Sequence, residues 1–255
     1  MAGYPGTQAV RRAVRLLKAF DDAHPRRGLA ELADVLELNK TTAFRLLAAL
    51  EGEGLVARAA PAEGYRLGPE AIAIGARALR ATDLRAAAHA NLEALARAVG
   101  ETATIEILVD AEVLIVDEVL GGRLVGSVPG LGTRWPAHAT STGKVLLAAR
   151  SNLELPATLT RYTDRTITSR EALEKDFAIV RARGYAVAVD ELEMGYLAVG
   201  APVRNHDDEV VAALSAGGPR SRMTADRIPT IIDAVRAHAR AISAGLGAPV
   251  PRSES

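Results

Sequence analysis

The chain has 255 residues, 49% of them hydrophobic and 24% charged, with no cysteine and 31 basic side chains balancing 31 acidic ones. This composition excludes wholesale disorder, disulfides, thiolate metal sites and cysteine nucleophiles, and no run approaches the roughly 18 apolar residues of a membrane span. Five scattered histidines without metal-ligand spacing argue against zinc, and an aromatic content of 4% argues against base-stacking recognition of single strands.

The neutral total hides a small split. Residues 1–69 hold 10 basic and 8 acidic side chains, and the remainder hold 21 and 23. Nucleic-acid contact would therefore rest on local placement of charge rather than on a global basic patch. The stretch MAGYPGTQAVRRAVRLL lacks an apolar signal core, so a cytoplasmic location is expected.

In chain order, Val10, Ala13, Val14 and Leu17 recur at helical spacing and predict a first helix that ends before His24-Pro25. A second helix fits Leu29–Leu36, with Leu29, Leu32, Ala33 and Leu36 as its apolar stripe. The turn Glu37-Leu38-Asn39 follows, and Asn39 is placed to cap a third helix. In that helix Ala43, Leu46, Leu47 and Leu50 share one face. Thr41, Arg45 and Ala48 point to the other side, flanked by Thr42 and Phe44, with Lys40 in the first turn. Leu55–Arg58 and Gly64–Leu67 read as a β-hairpin carrying Arg58 and Arg66 near its tip.

Residues 70–82 form an alanine-rich helix, apolar on too many sides for a lone surface helix, and read as a linker that packs against another chain. A helix from Leu84 to Val99 stops at Gly100. Strands are predicted at Thr102–Val109, Val113–Val119, Arg123–Val128, Tyr185–Val189, Leu197–Val203 and Val210–Ala216. Helices are predicted at Ser141–Ala149, after a capping box Thr168-Ser169-Arg170-Glu171, and around Ile228–Leu246. The irregular alternation implies an α+β fold with a mainly antiparallel sheet.

Three helices and a hairpin make a winged helix-turn-helix. A helix about 10–12 Å across fits the major groove of B-DNA. Thr41, Thr42, Arg45 and Phe44 would then face the groove, Lys40 would suit a phosphate, and Arg58 and Arg66 would reach the backbone or minor groove. Such side chains on an isolated helix are more often a plain solvated face, and it is the whole constellation that points to a duplex.

The segments AVRRAVRLLKAF, GLAELADVLELNKTTAFRLLAALEGEGLV and GYRLGP resemble the N-terminal domain of the isocitrate lyase regulator (IclR) family of bacterial transcription factors. GTRWPAHATSTGKVLLA, RGYAVAVDELEMGYLAVGAPV and VVAALSAGGP resemble the same family's effector domain, in consistent order from about residue 8 to residue 247. One departure lies in the turn, where the family commonly has glycine and this chain has Glu37.

The resemblance implies a winged helix-turn-helix over 1–69, a linker helix over 70–83, a GAF-like effector-binding domain over 84–248 and a disordered tail over 249–255. It further implies a homo-oligomer, a dimer or a dimer of dimers, on a double-stranded operator. Independently, Thr140-Ser141-Thr142-Gly143 opens a helix where free N–H groups, hydroxyls and the helix dipole converge. That arrangement suits a carboxylate, although a hydroxyl there can simply cap the helix.

The resemblance carries over Trp135, His138, Ser141, Thr142, Ala188, Tyr196, Ala198 and Ser215 as the pocket wall. Some relatives that bind small oxo-acids have aspartate at Ala188, cysteine at Ala198 and serine at Gly217. A more apolar pocket is therefore expected, able to stack a ring against Trp135 and Tyr196, with an effector larger or more aromatic than glyoxylate or pyruvate. Trp135 fits ordinary core or a subunit interface equally well.

His138 and Ser141 have no third residue to orient them, and Val145 breaks a Walker pattern after Gly143-Lys144, so no catalytic residue, metal or cofactor is expected. Two other readings compete. One is a DNA-bound architectural protein with a ligand-blind second domain, and the other is a metabolite-binding module whose winged helix contacts only protein.

Overall fold

The computed structural model describes residues 7–21, 23–59, 64–80, 83–121, 130–150 and 155–249. The strand expected at Arg123–Val128, the tip of the hairpin at 60–63 and the tail from Val250 onward lie outside the described residues. The chain divides into two compact units, Met1–Ala81 and Thr82–Ser255.

The first unit comprises α1 (Thr7–Lys18), α2 (Leu29–Val35), α3 (Lys40–Gly52), β1 (Val56–Arg58), β2 (Tyr65–Leu67) and α4 (Pro69–Arg80). Leu16, Phe20, Leu32, Leu36, Leu47, Leu50, Val56 and Tyr65 form its core. The helix expectation for α1 holds, but its buried line does not. Val10 and Val14 are 63% and 45% exposed, and Leu16 is the fully buried residue. At 100° per residue Val14 points about 160° away from Leu16, whereas Ala13 and Phe20 fall within about 60° of it. Once Leu16 docks, the valines must face outward.

β1 and β2 pair antiparallel, and a backbone bridge between Arg27 and Tyr65 adds a third segment beside the hairpin. α4 has no buried residue, and Ile72 and Ile74 stand 70% and 51% exposed.

The second unit runs α5 (Asp83–Val99), β3 (Thr102–Val109), β4 (Glu112–Val119), β5 (Arg134–Pro136), a 3₁₀ turn (Ala137–Ala139), α6 (Ser141–Ala148), α7 (Arg170–Arg183), β6 (Ala186–Val189), β7 (Tyr196–Arg204), β8 (Val210–Pro219) and α8 (Ile228–Gly245). The described strands form one antiparallel sheet in the order β5-β4-β3-β8-β7-β6.

Strand periodicity divides its faces. Ala103, Ile105, Val199, Ala201, Leu214 and Ala216 pack with Leu92, Leu95, Val235 and Ile242 of α5 and α8. Ala213 and Val113 face the other way, toward Val145, Leu147, Leu173 and Phe177 of α6 and α7. The expected capping box is displaced by one residue. Ser169 is the N-cap and accepts from the Ala172 N–H at 3.4 Å, while Glu171 pairs with Lys175 one turn on. With alanine at the third helical position, no side chain reaches back to complete a box.

Glu37 adopts φ 54°, the left-handed region, between α2 and α3. A side chain there costs about 1 kcal/mol relative to glycine. Glu37→Gly is expected to raise the stability of the first unit by about that amount, read as a higher urea midpoint for its unfolding. An unchanged or lower midpoint would argue against strain at this turn.

Candidate functional site

The chain presents two candidate surfaces, one in each unit. On α3, Asn39 caps the helix as expected, its Oδ1 accepting from the Thr42 N–H at 2.8 Å. Ala43, Leu47 and Leu50 are buried and Leu46 is half-buried, which fixes the rotation of the helix. Lys40, Thr41, Phe44 and Arg45 are consequently exposed, Phe44 at 45%, and Thr42 is half-buried beside the cap. Neither Lys40 nor Arg45 has an ion pair among the described residues, so both cations are available to a polyanion.

The two hairpin arginines differ in their restraint. The Arg58 guanidinium donates to Glu51 of α3 at 3.2 Å and lies 5.5 Å from the Tyr65 ring centroid. Arg66 lies opposite Ala57 and donates to the Leu67 carbonyl at 3.2 Å. Both side chains are exposed.

In the second unit a cavity of about 480 Å³ lies on the α6 face of the sheet. Alternation places Thr104 and Glu106 of β3, Ser215 and Gly217 of β8, and Tyr196 and Ala198 of β7 on this face, with Ala188 of β6 beside them. The N-terminus of α6 closes one end with Thr140, Ser141 and Thr142, and Trp135 of β5 and Tyr162 form aromatic walls. Of the expected wall residues, Trp135, Ser141, Thr142, Ala188, Tyr196, Ala198 and Ser215 therefore line the cavity.

His138 does not line the cavity. Its Nε2 is engaged by the Thr160 carbonyl at 2.9 Å, and its ring lies 6.0 Å from that of Tyr162, so it supports a wall residue from behind.

α6 is buried along its whole length. Thr140 caps it by accepting from the Gly143 N–H at 3.1 Å. A Cβ on Gly143 would stand 2.1 Å from the Ala137 carbonyl oxygen, and one on Gly200 of β7 would come within 3.0 Å of Ser141 and Thr142 backbone atoms. Lys144, 1% exposed, donates to Glu191 at 2.6 Å. It also lies 3.1 Å from Asp176 of α7, a Coulombic contact without hydrogen-bond geometry. Burial pushes the Glu191 carboxyl upward and the Lys144 ammonium opposes that rise.

The cavity wall also carries acids that are not among the expected wall residues. Glu101, Glu106, Glu118, Glu191 and Glu193 all contribute to it. Arg222 neutralises Glu101 through two hydrogen bonds of 2.7 and 2.6 Å, and Glu118 accepts from the Gly130 N–H at 2.6 Å. Glu106 accepts from Thr104 Oγ1 at 2.7 Å and from Thr142 Oγ1 at 2.5 Å. Burial raises its carboxyl above the ordinary value, partly offset by those two hydroxyls and reinforced by Glu118.

Glu191 and Glu193 fall within RGYAVAVDELEMGYLAVGAPV, whereas Glu101, Glu106 and Glu118 lie on or beside β3 and β4, outside the recognisable motifs. The available signal was an acid at an inward position of an otherwise β-branched strand. Tyr196 lays its ring over small neighbours. A Cβ on Gly217 would stand 2.4 Å from its hydroxyl oxygen and 3.2 Å from the Ala198 Cβ. Burial of that hydroxyl end, with nearby Glu106 and Glu101, pushes the phenol's pKa upward, so it stays a hydrogen-bond donor. It has no hydrogen-bond partner among the described residues.

The family model for the bacterial transcriptional regulator IclR C-terminal domain matches residues 76–244, and that for the IclR helix-turn-helix domain matches residues 9–60. The chain is 32% identical to the HTH-type transcriptional regulator XynR of Escherichia coli, over 96% of this chain and 99% of that protein. It is 34% identical to the glycerol operon regulatory protein of Streptomyces griseus, over 94% and 97%. Among solved structures, an IclR transcriptional regulator from Alicyclobacillus acidocaldarius superposes with a TM-score of 0.83 at 30% identity, covering 96% and 100%. An IclR homologue from Microbacterium hydrocarbonoxydans, complexed with 4-hydroxybenzoate, superposes with a TM-score of 0.80 at 26% identity, covering 94% and 99%.

The raised Glu106 carboxyl has a consequence for stability. A group that binds its proton more tightly when folded stabilises the fold fully below the unfolded value, 4.5 here. That contribution is lost as pH rises through the folded value. Glu106→Gln cannot ionise, so its stability is expected to gain on that of the parent chain as pH rises above 4.5. Urea unfolding of both proteins checks this; parallel pH profiles would contradict it.

Proposed function

Because the chain belongs to the IclR family and is a DNA-binding transcriptional regulator, we propose that it reads its operator through the exposed face of α3 and changes that reading when a small carboxylate with an apolar or aromatic body fills the cavity. The observation that carries the first half is the orientation of α3. A buried stripe of Ala43, Leu47 and Leu50 leaves Thr41, Phe44 and the unpaired Arg45 outward, on a helix of major-groove width. Arg45 suits bidentate pairing to a guanine edge, the threonines suit a thymine methyl or a phosphate, and Lys40 at the helix start suits a phosphate. Arg66 and Arg58 act on the backbone, with Arg58 restrained by Glu51.

The second half rests on the cavity's two ends. The backbone N–H groups of Ser141 and Thr142 open an eight-residue helix and provide partial positive charge for a carboxylate. Trp135, Tyr162, Ile115 and Tyr196 supply a surface for a ring. The 4-hydroxybenzoate bound by the Microbacterium hydrocarbonoxydans homologue supports the same class of ligand for this chain. Arg222 on Glu101 and Lys144 on Glu191 neutralise two of the wall acids, which lowers the repulsion an anion meets.

A homodimer would place two copies of α3 on a pseudo-palindromic operator, and the exposed Ile72 and Ile74 of α4 support pairing of protomers, as a dimer or a dimer of dimers. The effector acts by preferring one arrangement of the paired DNA-binding units.

Arg45→Ala is expected to weaken binding to DNA from upstream of the protein's own gene by about 1–3 kcal/mol while changing binding to random duplex little. Fluorescence anisotropy at fixed salt measures both, and equal losses on the two duplexes would remove base reading by Arg45. In a titration panel, benzoate and 4-hydroxybenzoate are expected to bind more tightly than glyoxylate and pyruvate. Tighter binding of glyoxylate would overturn the aromatic-body reading.

A further inference from the structure

One buried acid of the cavity has no counter-ion among the described residues. Glu106 is 5% exposed, and both of its oxygens accept from hydroxyls, Thr104 on one side and Thr142 on the other. Thr104 has a single hydroxyl proton, already donated to Glu106, so the 2.8 Å contact between Thr104 and Ser215 is donated by Ser215.

The groups around Glu106 come from five elements. They are Thr104 of its own strand, Ser215 of β8, Thr142 of α6, Glu118 of β4 and the phenol of Tyr196 on β7. They are neutral hydroxyls and one further acid. The nearby cations are committed elsewhere, Lys144 to Glu191 and Asp176 and Arg222 to Glu101. Among the described residues none forms an ion pair with Glu106.

Thr142 joins this acid to the anion end of the cavity. The residue whose backbone N–H opens α6 is the one whose hydroxyl reaches Glu106 Oε2 at 2.5 Å. A carboxylate taken up at that N–H would share Thr142 with Glu106, whose own side chain is buried. Two like charges so placed do not both persist, and the acid that already lacks a cation takes up a proton.

We propose that binding of a carboxylate in this cavity is coupled to uptake of one proton by Glu106, so that the regulator reads effector and pH as one linked signal. The coupling rests on the carboxylate reading of the cavity. The proton comes from solvent and converts the Glu106 carboxylate to the neutral acid. The acid then donates to Thr142 Oγ1, and the hydroxyl proton of Thr142 is released from Glu106 to serve the bound anion. Burial already favours the protonated form of Glu106, so ligand completes a bias that the fold itself supplies. In the pH range where Glu106 is neutral before binding, uptake is zero, and it grows as pH rises.

Isothermal titration calorimetry of the full chain with benzoate tests this, run at each pH from about 6 to about 9 in two buffers of different ionisation heat. Proton uptake is expected to climb toward about one per benzoate, with affinity falling about tenfold per pH unit at the alkaline end. Benzamide, a neutral isostere, should take up none. Glu106→Gln should bind benzoate with a flat pH profile and no uptake. Benzoate binding without uptake at every pH would overturn the coupling and leave the carboxylate reading standing, and uptake that survives in Glu106→Gln would also overturn it. Absence of benzoate binding to both proteins at every pH would remove the carboxylate reading itself and the coupling with it. The stoichiometry of the unsubstituted chain decides the question even if the variant fails to fold.

Discussion

The second unit depends on how closely α6 can approach its neighbours. The helix lies on the sheet because Gly143 and Gly200 carry no side chain where the 3₁₀ turn and β7 meet its first turn. A methyl group at Gly143 would collide with a carbonyl oxygen, and backbone would have to move. That seat fixes the rest. It buries all eight residues of the helix, so Lys144 must find partners inside the protein and finds them on α7 and in the segment after β6. It also places Ser141 and Thr142, at the start of the helix, in the cavity wall rather than at the surface. A pairing of this kind contributes little net stability once desolvation is counted, but removal of either partner would leave a buried charge uncompensated. Its value lies in fixing where the segment from Asp190 to Glu193 stands against the ligand space.

The two surfaces use opposite electrostatic strategies. The outward face of α3 leaves Lys40 and Arg45 without ion pairs among the described residues, which suits a ligand that is itself a dense array of charge. The cavity leaves almost no charge free. Most of its acids are held by an arginine, a lysine, a backbone N–H or hydroxyls. A small ligand entering that space meets groups whose hydrogen bonds are already organised, and selectivity follows from which of those bonds it can replace.

Local patterns in the sequence carried the helices, the Asn39 cap and the antiparallel strands well, because each is decided by residues within one or two turns of one another. The rotation of α1 was not legible from spacing alone, since Val10, Val14 and Leu16 are all apolar and only docking selects Leu16. The shifted cap at Ser169 has the same origin, two adjacent hydroxyl residues competing for one position. For the site, the motif at 132–148 led to Trp135, Ser141 and Thr142. It gave no access to Glu106, because the sheet register brings Thr104 opposite Ser215, a separation of 111 residues in the chain. His138 belongs to the same motif but is turned away by its bond to Thr160, a partner that no local spacing could reveal.

The fit between Tyr196 and Gly217 bears on how this lineage could come to sense a different molecule. Any side chain at Gly217 would occupy the space that the phenol holds, so a polar group cannot be regained there while the tyrosine stays in place. The two positions are epistatic, and a shift in ligand preference along this route needs paired replacements, with Tyr196 yielding first. A descendant that altered Gly217 alone would force the ring from its bed, so the order of the two replacements is itself constrained.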